Sequence, residues 1–145
     1  MRFMKYVGEI WRCAALYRSE QYEKLGIGCY QDQYLVKICE QPGISQEEIA
    51  ESLFVHKSNV ARQVAALEEK GFVERRPDAA DKRILRAYPT EKAQAVAGDI
   101  RRIRSEWTRR LLEGMSEEEK AAASQLMCRL AERAKTAARE YQEEK

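Results

Sequence analysis

The side chains best suited to specific chemistry are gathered in one short stretch, VHKSNVARQVAALEEKGFVERR, from Val55 to Arg76. Lys57, Ser58, Asn59, Arg62 and Gln63 carry hydrogen-bonding groups of defined geometry. Val60, Val64 and Leu67 recur at i, i+4 and i+7, so they share one face of a helix and leave the polar set on the other side. Further on, Arg76, Lys82 and Arg83 surround Asp81 in a turn-rich stretch. Such groups grip phosphates and read hydrogen-bonding edges. An enzyme would need a nucleophile–base pair or convergent carboxylates. His56 is the only histidine and the acids are spread over helix surfaces, so no catalytic residue is predicted.

Metal and redox chemistry have little to work with. Cys13, Cys29, Cys39 and Cys128 form no CxxC pair, and no metal site or cofactor is expected. Free thiols in a reducing cytoplasm are the simple expectation. With 44% apolar residues the chain can build a core, and its 34% charged residues are of both signs. No apolar run reaches the roughly 20 residues of a spanning helix. The N-terminus MRFMKYVGEIW lacks the pattern of a signal peptide. The sequence therefore points to the cytoplasm and to no membrane.

Net charge is only +2, but its distribution is uneven. Glu40 to Glu51 holds four acids and no base, whereas Lys57 to Lys92 holds nine bases against six acids. A second basic group, Arg101, Arg102, Arg104, Arg109 and Arg110, lies further on. Local patches of this kind, more than the total, mark a polyanion-binding surface.

These side chains must be held by regular elements. A first helix is expected over Phe3–Lys24, with Met4, Val7, Trp11, Ala14 or Ala15 and Tyr17 or Arg18 on its inner face. Gly26 and Gly28 stop it. A second helix covers Gln31–Glu40, and Gln41-Pro42-Gly43 turns the chain. Ser45 and Glu48 have capping-box spacing for a short helix, Gln46–Leu53. The helix beginning near Lys57 ends at Gly71. Phe72–Arg76 and Arg83–Tyr88 read as two strands joined by a basic tip, Pro77–Lys82. Thr90 opens a long helix with the stripe Val96, Ile100, Ile103, Trp107 and Leu111, suited to another helix. Gly114 breaks it. Ser116 and Glu119 cap a last helix carrying Leu126, Leu130, Ala134 and Ala137 to about Tyr141. The terminal stripes lack a partner in the central module.

Two short helices followed by a two-stranded hairpin make a winged helix-turn-helix, whose second helix enters the DNA major groove. That groove admits one helix and displays distinct donor and acceptor patterns. The predicted fold is mainly α with a small β-hairpin, flanked by N- and C-terminal dimerisation helices. Its expected divisions are residues 1–29, 30–89 and 90–145, within one chain.

The segment ISQEEIAESLFVHKSNVARQVAALEEKGFVERRPDAADKRILRAYPTEKA, Ile44 to Ala93, resembles the MarR family of bacterial transcription regulators. The likeness spans nearly the whole chain, and the combination LEEKGFVERR with the downstream Asp81-Lys82-Arg83 is specific. The resemblance implies a homodimer built from the first and last helices. It implies paired winged domains on a pseudo-palindromic stretch of double-stranded DNA, usually for repression relieved by a small-molecule effector. By residue match, Ser58, Asn59 and Arg62 fall where members touch bases and phosphates. Asp81 falls where an acid braces the wing, and Arg83 where an arginine enters the minor groove. With Lys57, Gln63, Arg76 and Lys82 they form the expected DNA-binding set.

The chain departs from the family pattern in two places. His56 stands where a Ser or Thr cap is common, and histidine caps poorly. Pro89 and Ala93 alter the usual Leu-Thr-x-x-Gly joint. Trp11, Tyr17, Tyr30 and Tyr34 are the candidate lining of an effector pocket. Some family members sense peroxides through an N-terminal cysteine near tyrosines. Cys13 and Tyr17, one turn apart, make thiol-based redox sensing the alternative reading. A helical protein–protein adaptor is a remoter alternative, which would explain the apolar terminal helices but not the basic hairpin.

Overall fold

Local signals place most of the elements in this computed structural model, which describes residues 1–145. Helix α1 runs Phe3–Leu25 and α2 runs Asp32–Glu40. Strand β1, Ile44–Ser45, leads into α3, Gln46–Leu53, and α4 follows at Lys57–Glu69. Strands β2, Val73–Pro77, and β3, Leu85–Pro89, precede α5, Glu91–Leu111, and α6, Glu117–Glu143. Both capping boxes form: Ser45 Oγ accepts the Glu48 N–H at 3.1 Å, and Ser116 Oγ accepts the Glu119 N–H at 3.2 Å. Gly71 closes α4 at φ +81°, a conformation cheap only for glycine. Thr90 Oγ1 donates to the Gly71 carbonyl at 2.8 Å and accepts the Ala93 N–H at 3.3 Å, joining the sheet to α5.

The sheet has three strands, not two. It is antiparallel in the order β1-β3-β2, with Ile44 opposite Ala87 and Arg75 opposite Ala87 on the other side. Two residues are too few to show a period-2 pattern, so β1 is invisible in the sequence. The strands also begin later than expected. Phe72 precedes β2, Pro77 ends it opposite Leu85, and Arg83 lies in the tip instead of the returning strand. Proline is tolerated there because the Asp78 N–H, one residue on, takes over by donating to the Ile84 carbonyl at 2.8 Å.

The chain divides into two units, Met1–Trp107 and Thr108–Lys145. In the first, Tyr22, Leu35, Ile38, Ile49, Val60, Val64, Leu67 and Phe72 are fully buried. Each of the aliphatic side chains and Phe72 contributes about 1.5–3 kcal/mol through burial. Ala93, Val96, Ala97, Ile100 and Ile103 of α5 belong to the same core. This corrects the expectation that the α5 stripe lacks a partner: Val96, Ile100 and Ile103 seal the winged module, while Leu111 at the far end stays exposed. The inner face expected for α1 is met only in part: Tyr17 packs against the core, but the N-terminal half is uncovered in the single chain. Met4 is 72% and Trp11 55% exposed, and Tyr22 is the only residue of α1 that is buried. In the second unit α6 buries no residue, and Leu126, Met127 and Tyr141 are exposed along it. No helix is long and apolar enough to cross a membrane.

Candidate nucleic-acid interface

Helix α4 follows α3 after a three-residue turn, which sets the two at a fixed angle. The turn needs Phe54 at φ +55°, an unusual conformation for a bulky residue. Val60, Val64 and Leu67 anchor α4 in the core. Lys57, Ser58 and Arg62 are exposed and Asn59 and Gln63 are half-exposed. His56 is the N-cap but makes no side-chain capping bond. Its Nδ1 lies 3.1 Å from Ser58 Oγ. Lys57 Nζ donates to Glu47 of α3 at 2.9 Å. Arg62 Nη2 donates to Asn59 Oδ1 at 2.6 Å, one turn back. Gln63 leans to the flank of the helix, where its Oε1 accepts from Gln31 Nε2 at 3.2 Å.

The hairpin is organised by two carboxylates. Asp81 receives the Arg83 guanidinium in a fork, Nε to Oδ1 and Nη2 to Oδ2, both 3.0 Å, and also accepts the Arg83 N–H. The Arg83 side chain remains 90% exposed, so it is oriented without being covered. Asp78 accepts the N–H groups of Ala80 and Asp81 at 3.0 Å and the Arg86 Nε at 2.6 Å. The Arg83 guanidinium holds the Asp81 carboxyl below the usual carboxylate range. Arg86 and the two backbone amides do the same for Asp78. Lys82 is exposed beside Arg83. Arg76 sits at the strand end, paired with Glu74 at 2.8 Å and stacked over the Tyr88 ring at 4.5 Å.

Three contributors to this surface escape sequence reasoning. Asp78 has a usable signal, since Pro-Asp commonly starts a turn in which the carboxylate caps the following amides. Arg86 has none, because its second partner is the Gly43 carbonyl, 2.9 Å away and 43 residues earlier. Glu68 of α4 accepts the Arg75 N–H at 2.8 Å and its guanidinium at 3.1 Å, locking the helix end to β2. Those bonds draw the Glu68 carboxyl below its ordinary range.

The aromatic residues proposed for an effector separate into three places. Trp11 and Tyr30 stack at 5.9 Å, with the Arg18 guanidinium 5.2 and 5.7 Å from the two rings. Tyr17 packs against Trp107 at 5.2 Å. Tyr34 is only 3% exposed in the core, so it offers no accessible lining surface. Cys13 is exposed on α1, and Cys29 and Cys39 are half-buried. Elsewhere in the core, Tyr22 donates to Asp32 at 2.8 Å, and Arg104 of α5 donates to the same oxygen at 2.8 Å. Burial, then the bond to Asp32, pushes the Tyr22 phenol far above its ordinary range. Three helices thus meet at one buried carboxylate.

Residues 31–85 match the family model described as MarR family. Over 127 residues the chain is 35% identical to the HTH-type transcriptional regulator YybA of Bacillus subtilis (strain 168), covering 88% of this chain and 85% of that protein. The crystal structure of the transcriptional regulator SlyA is similar at 32% identity with a TM-score of 0.89, over 96% of this chain and 98% of that one. A MarR family regulator from Listeria monocytogenes, solved in complex with a 26mer DNA, shares the fold with a TM-score of 0.86. It is 24% identical, over 97% of this chain and 93% of that one. The chain belongs to the MarR family. It is a DNA-binding transcription regulator of winged-helix fold and not an enzyme.

Proposed function

We propose that the protein is a homodimeric repressor that binds a pseudo-palindromic operator and is released by a small-molecule effector in the cytoplasm. In this reading Lys57, Ser58, Asn59, Arg62 and Gln63 face the major groove. Arg76, Lys82 and Arg83 meet the flanking backbone and minor groove, and Asp81 braces Arg83. The carrying observation is the exposed donor face of α4 together with Arg83, which Asp81 holds outward at 90% exposure. Dimerisation is supported by apolar surface on two elements, Met4, Ile10 and Trp11 of α1 and Leu126 and Met127 of α6. Closed two-fold symmetry is the usual way to cover such faces. The exposed Trp11–Tyr30 stack under Arg18 favours an effector with an aromatic or anionic part.

Selection from a random duplex pool tests the core of this reading. A two-fold protein should enrich inverted repeats with half-sites about one helical turn apart. Light scattering at micromolar concentration should give twice the chain mass. Enrichment of single half-sites by a monomer would defeat the dimeric operator, and no enrichment at moderate salt would defeat sequence-specific binding.

A further inference from the structure

Gln31 stands at the N-terminal boundary of α2, outside the exposed face of α4, and touches Gln63 of that helix. The residue is only 9% exposed. Its Oε1 accepts two unambiguous donors, the Gly28 N–H and the Lys70 ammonium, each at 2.8 Å. An amide with its oxygen so committed offers only its NH2 on the remaining side. That NH2 meets Gln63 Oε1 at 3.2 Å. The inward atom of Gln63 is therefore its carbonyl oxygen, and its free group is the NH2. On the same helix Arg62, which has donors only, occupies Asn59 Oδ1 at 2.6 Å. Both amides of α4 have their oxygens engaged and their NH2 groups available.

This polarity bears on base choice. An amide reads adenine bidentately by accepting from N6 and donating to N7, so it needs both of its ends. Guanine shows the major groove two acceptors, O6 and N7, and no donor, whereas thymine shows O4 alone beside its methyl group, so guanine offers an outward NH2 the fuller match. Turning Gln63 over would set its NH2 against that of Gln31 and strand a buried donor at its full desolvation cost. Releasing Asn59 is easier, because its bond to Arg62 is solvent-exposed. Gln63 is therefore the more firmly polarised of the two.

We propose that α4 meets the major groove with the Gln63 NH2 turned outward, a polarity that Gln31 sets, so that the base beneath Gln63 is guanine, whose two acceptors suit a donor, and not adenine. Gln31 is a positioning residue here, and the inference rests on α4 being the groove helix.

The test compares duplexes selected by the wild-type protein, Gln31→Glu and Gln63→Ala. Glutamate keeps the shape and both accepted bonds but has no donor to give, so Gln63 must turn its NH2 inward and its carbonyl out. The position that loses its preference in Gln63→Ala is the one Gln63 reads. There the wild-type protein should select guanine. Inosine, which keeps O6 and N7, should bind equally, while 7-deazaguanine should weaken binding about fivefold or more. Gln31→Glu should move the preference to adenine or cytosine, whose exocyclic amines donate, with an unchanged melting temperature. Selection of any base other than guanine there by the wild-type protein, or the same base selected by wild type and a folded Gln31→Glu, overturns the proposal. If Gln31→Glu does not fold, the base-analogue measurements on the wild-type protein decide alone. Should Gln63→Ala and Asn59→Ala both leave the whole selected site unchanged, the groove-helix reading falls and takes the proposal with it.

Discussion

Arg86 donates to Asp78 at 2.6 Å and, through Nη1, to the Gly43 carbonyl at 2.9 Å, so one side chain ties the wing turn to the turn before β1. Gly43 is at φ +86° with the Tyr88 ring against it, and a Cβ there would come within 3.3 Å of that ring. Asp78 in turn caps the amides of Ala80 and Asp81, and Asp81 holds Arg83. The exposed arginine at the tip is thereby placed by a chain of contacts that begins in the core module.

Arg86→Leu should therefore loosen the wing and leave the helices intact. Affinity for an operator and for a scrambled duplex should fall together, by less than Arg83→Ala causes, with little change in helical circular dichroism. Arg86→Lys should recover part of the loss, since an ammonium satisfies Asp78 but cannot also fork to Gly43. Fluorescence anisotropy on both duplexes measures this, and a loss confined to the operator would contradict it.

Holding and reading should separate cleanly. Arg83→Ala removes a cation from the degenerate minor groove or backbone, so it should weaken all DNA evenly. The slope of log affinity against log salt should drop by about one phosphate-equivalent. Asp81→Ala should act more weakly in the same direction. Arg62→Ala and Asn59→Ala should instead relax sequence choice, by about 1–3 kcal/mol for a well-made base contact. Titrations at several salt concentrations discriminate the two patterns.

Acid should reach the wing late. The Asp78 and Asp81 carboxyls lie below their ordinary range in the folded protein because Arg86, Arg83 and backbone amides favour the charged form. A depressed folded value means that the stabilisation is complete above the unfolded value, about 4, and is lost as pH falls through the folded one. The melting-temperature difference between wild type and Asp78→Asn should hence stay constant from neutral pH down to about 4 and shrink below it. A difference that already changes near pH 6 would show that another group is responsible.

Asp32→Ala removes the acceptor shared by Tyr22 and Arg104 and leaves the buried Tyr22 hydroxyl without it. The expected cost is about 1–3 kcal/mol in urea denaturation. Tyr22→Phe should cost less, because Asp32 keeps Arg104.

What the residues decide by themselves lies within four or five positions of one another. Ser45 with Glu48, Ser116 with Glu119, the stop at Gly71 and the apolar face Val60, Val64 and Leu67 all appear as the sequence implies. Those signals are legible because a cap or a helical face is closed by near neighbours, whatever the remainder of the chain does. The polar face of α4 and the basic hairpin follow from the same local patterns, so the identities of the candidate DNA-binding side chains are written in the sequence. Their roles relative to one another are not. Gln31 meets Gln63 across 32 residues, Arg86 meets Gly43 across 43, and Arg104 meets Asp32 across 72. The two-residue strand β1 exists only because β3 lies beside it, and α5 turns out to be core because the winged module has a face for it to cover. Such partners are chosen by the path of the whole chain and by the cost of burying an unpaired polar group, and neither is encoded in any short window of residues.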